Sequence, residues 1–299
     1  MADSVDPALV ATANVSDPKD FFKGREYLLT PPLFRAAYSD RMAWICASMA
    51  ELAYERFEKN EEVKKDFMEK LHSGGFSLLG TFNSDETGTQ AFLATNGKYA
   101  ILAFRGTEKN WRDVQTDLLA RRVKTSSGQV HSGFRTAYES VAKEIEPWLQ
   151  RIGRQPLYIT GHSLGAALAT VATASLEANP HFEGQIAACY TFGSPRVASA
   201  EYDPNIKTSL FRVVNTTDIV TIVPLIAMGF VHAGDVRFLE RKEELFRRNI
   251  PLAERFFDFM FGFSKLVSDH GIAEYRRKLE LIARRRNRSR FGDRQSPGR

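Results

Sequence analysis

Apolar and polar residues alternate along the chain with the periods of helices and strands. Over residues 38–59, apolar side chains return every three or four positions, which predicts a helix capped by Ser39 or Asp40. Three further apolar runs are separated by turn residues and lie at 76–82, 90–95 and 98–104. They are typical of consecutive strands, and Asn96-Gly97 between the last two predicts a hairpin.

The second half of the chain alternates predicted strands with predicted helices. The strand-like segments are 157–159, 185–192, 209–215 and 229–239. The helical segments are one that follows 131–134 and ends at about 151, one from 164 onward and one over about 268–285. A short amphipathic helix is also predicted over Glu108–Leu119. Helices between strands indicate a parallel sheet, with the earlier strands as a partly antiparallel flank. The predicted fold class is therefore α/β, with a central, mostly parallel sheet and flanking helices.

The segment 156–170 predicts a short buried strand, a sharp turn and a helix of small residues. Ser163 lies at the turn, between Gly161 and Gly165, which let the strand and the helix approach closely. Such a nucleophile elbow lifts the serine hydroxyl clear and puts the N–H of Leu164 at a helix N-terminus. The Gly-x-Ser-x-Gly pattern is common by itself, so this context carries the prediction of a nucleophile.

A nucleophilic serine needs a histidine base, and in elbow enzymes the acid and then the histidine follow the serine in the chain. The histidines after Ser163 are His181, His232 and His270. His181 follows the far end of the elbow helix, away from the serine. Spacing alone leaves His232 and His270 as equal candidates for the base.

Asp218 is the favoured acid because it lies at the carboxyl end of a predicted strand, where sheet enzymes place catalytic groups. Asp203, in a loop, and Asp235, inside a strand, are weaker candidates. The strand at 98–104 runs into Gly106 and Thr107, so the N–H of Thr107 is a candidate second donor to an oxyanion. Taken alone, that segment is interpreted equally well as a glycine-containing loop without a role in catalysis.

The composition narrows the function classes. The 299 residues are 43% hydrophobic and 26% charged, and no apolar run is long enough to cross a membrane. Cys46 and Cys189 stand outside any metal-ligand pattern, so buried free thiols are expected and no metal or cofactor is implied. The N-terminus has no basic or apolar signal region, which predicts a cytoplasmic protein, or a secreted one whose leader has been removed.

The net charge of +5 is concentrated near the C-terminus. Residues 276–299 hold ten Lys or Arg against two acids, a charge of +8 that leaves −3 for the rest. A solvated helix end is favoured over a patch for anionic lipid, and no nucleic-acid partner is expected. The predicted organisation is a poorly ordered lead-in over 1–25, a single domain over 26–285 and a disordered basic tail over 286–299. No oligomeric state is predicted.

Seven motifs occur between residues 100 and 275 in the order of one known family, over roughly three-fifths of the chain. They are Phe104-Arg-Gly-Thr107, Val130-His-Ser-Gly-Phe134, Gly161-His-Ser-Leu-Gly165, Tyr190-Thr-Phe-Gly-Ser-Pro-Arg-Val197, Asn215–Asp218 with Val223-Pro224, Phe230-Val-His-Ala-Gly234 and Asp269-His270. As a set they resemble the fungal-type (class 3) lipases, which have the α/β-hydrolase fold. None of the motifs is specific by itself.

The resemblance implies roles for particular residues. The implied catalytic triad is Ser163, Asp218 and His270, and the implied oxyanion donors are the N–H groups of Thr107 and Leu164. His232 matches the family's structural histidine, and the family's lid matches about Glu108–Leu119. The chain departs from the family in its charged lid segment, in lacking a signal peptide and disulfides, and in the aromatic run Phe256–Phe263. That run is either a lipid-facing or acyl-pocket wall or the packing side of an accessory helix.

The implied function is that of a serine ester hydrolase, a lipase or carboxylesterase that cleaves glycerolipid or similar acyl esters through an acyl-enzyme. The expected partner is a lipid or other acyl-ester substrate, with transient contact to a membrane or lipid-droplet surface as a further expectation. Within the enzyme class the alternative is a phospholipase. Outside it, the alternative is a catalytically silent lipid- or membrane-binding protein on the same scaffold.

Overall fold

The computed structural model of the protein describes residues 17–33, 37–106, 122–215, 218–222, 229–240, 246–247 and 270–291. Its helices are α1 (Asp40–Leu52), α2 (Glu61–Ser73), α3 (Ser132–Arg151), α4 (Leu164–Glu177) and α5 (Ile272–Phe291). Its strands are β1 (Ser77–Ser84), β2 (Thr89–Thr95), β3 (Ala100–Phe104), β4 (Arg122–Thr125), β5 (Gly128–His131), β6 (Leu157–His162), β7 (Ile186–Phe192), β8 (Leu210–Asn215), β9 (Asp235–Leu239) and β10 (Phe246–Arg247). Within these ranges, none of the helices has the length and apolar character needed to cross a membrane.

One large sheet runs through the described part of the chain in the order β1-β2-β3-β6-β7-β8-β9-β10. Neighbouring strands from β3 to β9 are parallel, while β1, β2 and β3 pair antiparallel at one side and β10 at the other. The strands β4 and β5 form a separate hairpin. The predicted parallel centre, antiparallel flank and hairpin between β2 and β3 are confirmed. The parallel strands all end at one edge, which is where the candidate site lies.

Helices cover both faces of the sheet, and each face has its own apolar core. Side chains of α1, α2 and α5 form one core, and those of α3 and α4 form the other. Strand β3 shows the alternation directly, because Ile101 points into the first core and Leu102 into the second. Cys46 and Cys189 are buried free thiols, as predicted.

Several boundaries differ from those predicted. Helix α2 was not predicted, because it is mostly charged and buries only Phe67 and Leu71. The strand predicted over 229–239 begins only at Asp235, and Val231 makes an isolated bridge instead. Ser39 caps α1, since its side chain accepts a hydrogen bond from a backbone N–H of the first turn.

The packed structure also extends further at both ends than the sequence predicts. Phe21 and Phe22 are buried, and the Phe22 ring meets the indole of Trp44 edge to face. Helix α5 continues six residues beyond 285, where Asn287 is buried and Arg286 contacts the Asp40 carboxylate at 3.0 Å. The predicted segments at 108–119 and 256–263 lie outside the described residues.

Candidate active site

Ser163 lies on a strained turn between β6 and α4. Its φ of 56° is in the left-handed region, and it is the one non-glycine residue with positive φ among those the structure describes. Its N–H donates to the carbonyl of Phe192 at 2.9 Å, and 8% of the residue is exposed. Backbone strain of this kind persists only where the surrounding structure imposes it, and it concentrates at functional sites.

Two glycines allow the close approach that this turn needs. A Cβ at Gly161 would collide with the backbone of Gly165, and a Cβ at Gly165 would collide with the carbonyl oxygen of Phe104. Backbone atoms cannot rotate away as a side chain can. The reason predicted for the glycines on either side of Ser163 is confirmed, and the end of β3 lies directly beside the turn.

His270 lies between Ser163 and Asp218. Its Nε2 is 2.9 Å from Ser163 Oγ, and its Nδ1 is 2.9 Å and 3.0 Å from the two carboxylate oxygens of Asp218. A carboxylate only accepts, so Nδ1 carries the proton and Nε2 is free to accept from the serine hydroxyl. The carboxylate is fully buried, while 21% of the imidazole is exposed. The three side chains therefore form one line of hydrogen bonds that reaches the edge of the sheet.

Helix α5 and the loop after β8 hold Asp218 in place. The Tyr275 hydroxyl donates to Oδ2 of Asp218 at 2.6 Å, and the Val220 N–H donates to Oδ1 at 2.9 Å. The same Tyr275 oxygen accepts from the N–H of Asn215 at 2.9 Å, and Lys278 Nζ donates to the Asn215 side chain at 3.0 Å. The helix therefore fixes the acid both directly and through the end of β8.

Sequence reasoning did not identify Tyr275 or Lys278 as part of the site. In the sequence, Tyr275 stands among apolar residues that return at helical spacing. Lys278 is 3% exposed on the inward side of α5, and a lysine is rarely so buried without a polar partner. The signal in the sequence that could have revealed this network is Lys278, a charged residue among apolar residues that return at helical spacing.

The alternative candidates lie elsewhere. The Nε2 of His232 donates to the carbonyl of Thr221 at 2.6 Å, and the Thr221 hydroxyl donates to the carbonyl of Asp218 at 2.8 Å. His232 therefore braces the loop of the acid, while His270 is the histidine that reaches the serine. Asp203 accepts a backbone N–H at 2.8 Å, and Asp235 pairs with an arginine two residues later.

The two predicted oxyanion donors differ in what the structure describes. Leu164 is the first residue of α4, so its N–H has no acceptor within the helix and lies at the positive end of the helix dipole. Thr107 lies outside the described residues, although Gly106 before it packs against the backbone carbonyl of His162. Among the described residues, no cluster of His, Cys, Asp or Glu could hold a metal ion.

Gly193 lies beside the contact between the Asp218 carboxylate and the His270 ring. Its φ is 57°, and a Cβ there would stand 2.6 Å from Oδ2 of Asp218 and 3.2 Å from the ring of His270. The residue follows directly after β7, so its bare backbone lines the space that the two side chains share. Any side chain at this position would displace the carboxylate or the imidazole.

A sequence model of the class 3 lipases matches residues 101–228. The matched segment begins in β3 and includes both Ser163 and Asp218, together with the glycines that shape the turn. Over this segment the chain is similar to the class 3 lipases. The same segment holds the motifs from Phe104 to Pro224 that resemble this family.

Two fungal relatives show how far the likeness to named lipases extends. The chain is 31% identical over 170 residues to a lipase of Rhizopus niveus, which is 52% of this chain and 43% of the relative. It is 30% identical over 162 residues to the secreted mono- and diacylglycerol lipase A of Penicillium cyclopium, which is 51% of this chain and 52% of the relative. The chain thus spans about half the length of these relatives.

The fold of the protein also matches a solved structure. Lipase II from Rhizopus niveus superimposes with a TM-score of 0.64 at 23% sequence identity, over 77% of this chain and 92% of that chain. At this level of identity the match concerns the fold alone. It confirms the α/β-hydrolase fold expected from the sequence.

Proposed function

We propose that this protein is a serine ester hydrolase of the class 3 lipase type that cleaves acyl esters of glycerolipids or similar lipid-like esters. The observation that carries the proposal is the line of hydrogen bonds from Ser163 Oγ through the His270 imidazole to the buried Asp218 carboxylate. A strained serine hydroxyl in contact with an imidazole nitrogen is the arrangement that activates a hydroxyl as a nucleophile. The fungal relatives named as lipases support the same conclusion.

In the first half of the reaction, His270 Nε2 takes the hydroxyl proton while Ser163 Oγ attacks the ester carbonyl carbon. Asp218 stabilises the imidazolium that forms. The oxyanion of the tetrahedral intermediate accepts hydrogen bonds from the N–H of Leu164 and, in this proposal, from that of Thr107. The imidazolium then gives its proton to the alcohol oxygen, the carbon–oxygen bond breaks, and an acyl-enzyme remains on the serine.

Water completes the reaction by the same route. His270 Nε2 takes a proton from water while the water oxygen attacks the acyl carbonyl, and the same N–H donors stabilise the second oxyanion. The proton then returns to Ser163 Oγ as the carboxylic acid leaves. One ester and one water are consumed, and one alcohol and one acid are released.

The described part of α5 bears on the rival proposal of a silent membrane-binding protein. Three arginines of this helix, all within its basic stretch, face acids of the same chain. Their contacts are Arg276 with Glu51 at 2.6 Å, Arg284 with Glu280 at 2.7 Å and Arg286 with Asp40 at 3.0 Å. Arginines that are paired with carboxylates of the same chain attract anionic lipid less strongly. Their pairing therefore supports the ester hydrolase over the membrane-binding protein.

Substrate choice and location are the finer parts of the proposal. The relative named a mono- and diacylglycerol lipase supports glycerides as the substrate class, with phospholipids as the alternative. The same relative is named as secreted, which supports the secreted alternative rather than the cytoplasmic location favoured by the sequence. Transient contact with a lipid surface is the expected consequence of a lipid substrate.

Hydrolysis of p-nitrophenyl esters from acetate to palmitate tests the proposed function. We expect turnover of these esters with a preference for the longer acyl chains, because burying each additional CH₂ contributes about 0.8 kcal/mol to binding in an apolar site. Released nitrophenolate is measured at each chain length. A short-chain preference would redirect the proposal to a small-ester carboxylesterase, and no turnover at any length would favour the silent lipid-binding protein.

Replacing Gly193 by alanine is expected to lower kcat/KM about 100-fold, because displacing the base by even about 1 Å costs that much. The added Cβ would push against Oδ2 of Asp218 and the ring of His270. The positive φ adds a destabilisation of about 1 kcal/mol. Ester hydrolysis and the free energy of unfolding are measured on the same sample.

Gly153→Ala is the matched control for Gly193→Ala. Its φ of 60° is nearly the same, but nothing lies within 4 Å of an added Cβ. The control should show the same backbone strain, about 1 kcal/mol, with unchanged kcat/KM. Equal kinetics in both variants would show that the contact at Gly193 does not position the catalytic pair.

A further inference from the structure

His162 precedes the nucleophile in the chain and has no role in the reaction steps above. It is 4% exposed and lies between Tyr54, two residues after α1, and His270, two residues before α5. Its Nδ1 is 2.8 Å from the Tyr54 hydroxyl, and its Nε2 is 2.5 Å from the backbone carbonyl oxygen of His270. The two histidine rings lie with their centroids 4.6 Å apart. A buried histidine with both ring nitrogens bound in this way is fixed in place.

These two contacts assign the tautomer of His162. A carbonyl oxygen only accepts, so Nε2 carries the proton and donates to His270. In the neutral ring Nδ1 is then an acceptor, and the Tyr54 hydroxyl donates to it. The resulting chain of hydrogen bonds leads from Tyr54, just beyond α1, through His162 at the end of β6, to the main chain of the catalytic base.

The same surroundings keep His162 uncharged. Burial lowers the pKa of His162 well below the ordinary value of a histidine, and the neighbouring His270 lowers it further. Among the residues that the structure describes, the titratable groups in contact with the ring are Tyr54, His270 and Tyr275. Because the proposed reaction places a positive charge on His270, a neutral neighbour holds its main chain without repelling that charge.

We propose that His162 is a positioning residue that holds the main chain of His270 and so keeps its imidazole in line between Ser163 and Asp218. Tyr54 fixes the ring of His162 for this purpose. The inference rests on the proposed ester hydrolysis, for which His270 is the base. His162 itself contacts none of the reacting atoms, so its effect on the reaction passes entirely through His270.

Two substitutions separate the hydrogen bond from simple packing. In His162→Gln the terminal amide nitrogen reaches about as far as Nε2 and can still donate to the carbonyl of His270. In His162→Asn the shorter amide reaches only about as far as Nδ1, so the contact to Tyr54 is kept and the donor to His270 is lost. Both replacements remove the ring and are polar, so they make a matched pair.

Steady-state kinetics with p-nitrophenyl butyrate and a measured unfolding free energy test the inference. We expect His162→Asn to lower kcat about 100-fold with KM within about twofold, because the base is misplaced and ester binding is not. His162→Gln should recover kcat to within about tenfold of wild type, and Tyr54→Phe should lower it by less than His162→Asn does. Loss of stability is measured separately, since a purely structural role would change both variants alike.

Wild-type kcat in His162→Asn, or equal losses in the Asn and Gln variants, would overturn the positioning role while leaving ester hydrolysis intact. Equal inactivity of wild type and Ser163→Ala would overturn the proposed function, and the positioning role with it. These two failures are distinguished by the wild-type assay alone.

A second measurement uses the wild-type protein alone and does not depend on catalytic activity. Two-bond ¹H–¹⁵N correlation spectra of histidine-labelled wild type report the tautomer and charge of each imidazole. The His162 signals are expected to show a neutral ring with the proton on Nε2 throughout the pH range in which an ordinary histidine titrates. A proton on Nδ1, or an imidazolium in that range, would overturn the proposal.

Discussion

Ser163→Ala is expected to lower kcat for ester hydrolysis by on the order of 10⁶-fold, the loss typical of removing the nucleophile from a Ser-His-Asp site. The change deletes only Oγ, which His270 Nε2 contacts at 2.9 Å. The backbone is already held at φ 56° by its surroundings, so alanine adds no new clash. Stability should change by only about 1 kcal/mol, the net value of one hydrogen bond.

Ser48→Ala provides a matched control for Ser163→Ala. Ser48 is fully buried in α1, and its hydroxyl donates to the carbonyl of Trp44 at 2.9 Å. Its replacement should cost a similar free energy of unfolding and leave kcat unchanged. The measurements are prolonged ester assays, denaturant unfolding and mass spectrometry after treatment with a fluorophosphonate, which should label wild type once. Labelling of Ser163→Ala, or activity above about one hundredth of wild type, would place the nucleophile at another residue.

The sequence predicts an element well when the residues that determine it all lie within one short segment. Helix α3 has an apolar face at regular spacing, and the turn at Ser163 is specified by the two glycines that its backbone contacts require. Helix α2 was missed because it buries only two apolar side chains. The length of α5 was underestimated because its final turns are basic, and their ion pair with Asp40 joins residues far apart in the chain.

The candidate site was predicted less completely, for a related reason. Spacing left His232 and His270 equal, because both follow strands or turns on the correct side of Ser163 in the sequence. The distinction depends on how α5 docks, since Tyr275 joins that helix to the Asp218 carboxylate and so brings His270 beside it. The pattern of residues within one segment does not predict a contact between distant segments. Only the resemblance to a known family favoured His270 over His232.

The contact between Tyr54 and His162 illustrates the same limit. Both residues are unremarkable in the sequence, one near the end of a predicted helix and the other one position before the serine. Their meeting depends on α1 packing across the parallel strands so that its end reaches the edge where β6 stops. A residue that would position a catalytic group without contacting the reacting atoms is therefore harder to predict than the catalytic group itself.

Replacing His270 by alanine is expected to lower kcat nearly as far as Ser163→Ala does, by on the order of 10⁵- to 10⁶-fold. Without the imidazole, the serine hydroxyl has no acceptor for its proton, and the buried Asp218 carboxylate loses one of its donors. The oxyanion donors alone would account for the residual rate. Adding free imidazole should restore part of the activity to His270→Ala. The His270 side chain is 21% exposed, so the space that it vacates is open to solvent.

His232→Ala is the control that decides between the two histidines left equal by spacing. His232 donates to the carbonyl of Thr221, and Thr221 in turn braces the main chain of Asp218. Its loss should loosen that loop and lower kcat by about tenfold or less, with a loss of stability of about 1–3 kcal/mol from the unpaired carbonyl. Free imidazole should have no effect on this variant, because its base is intact. If His232→Ala loses activity as completely as His270→Ala should, and only His232→Ala responds to imidazole, then His232 is the base.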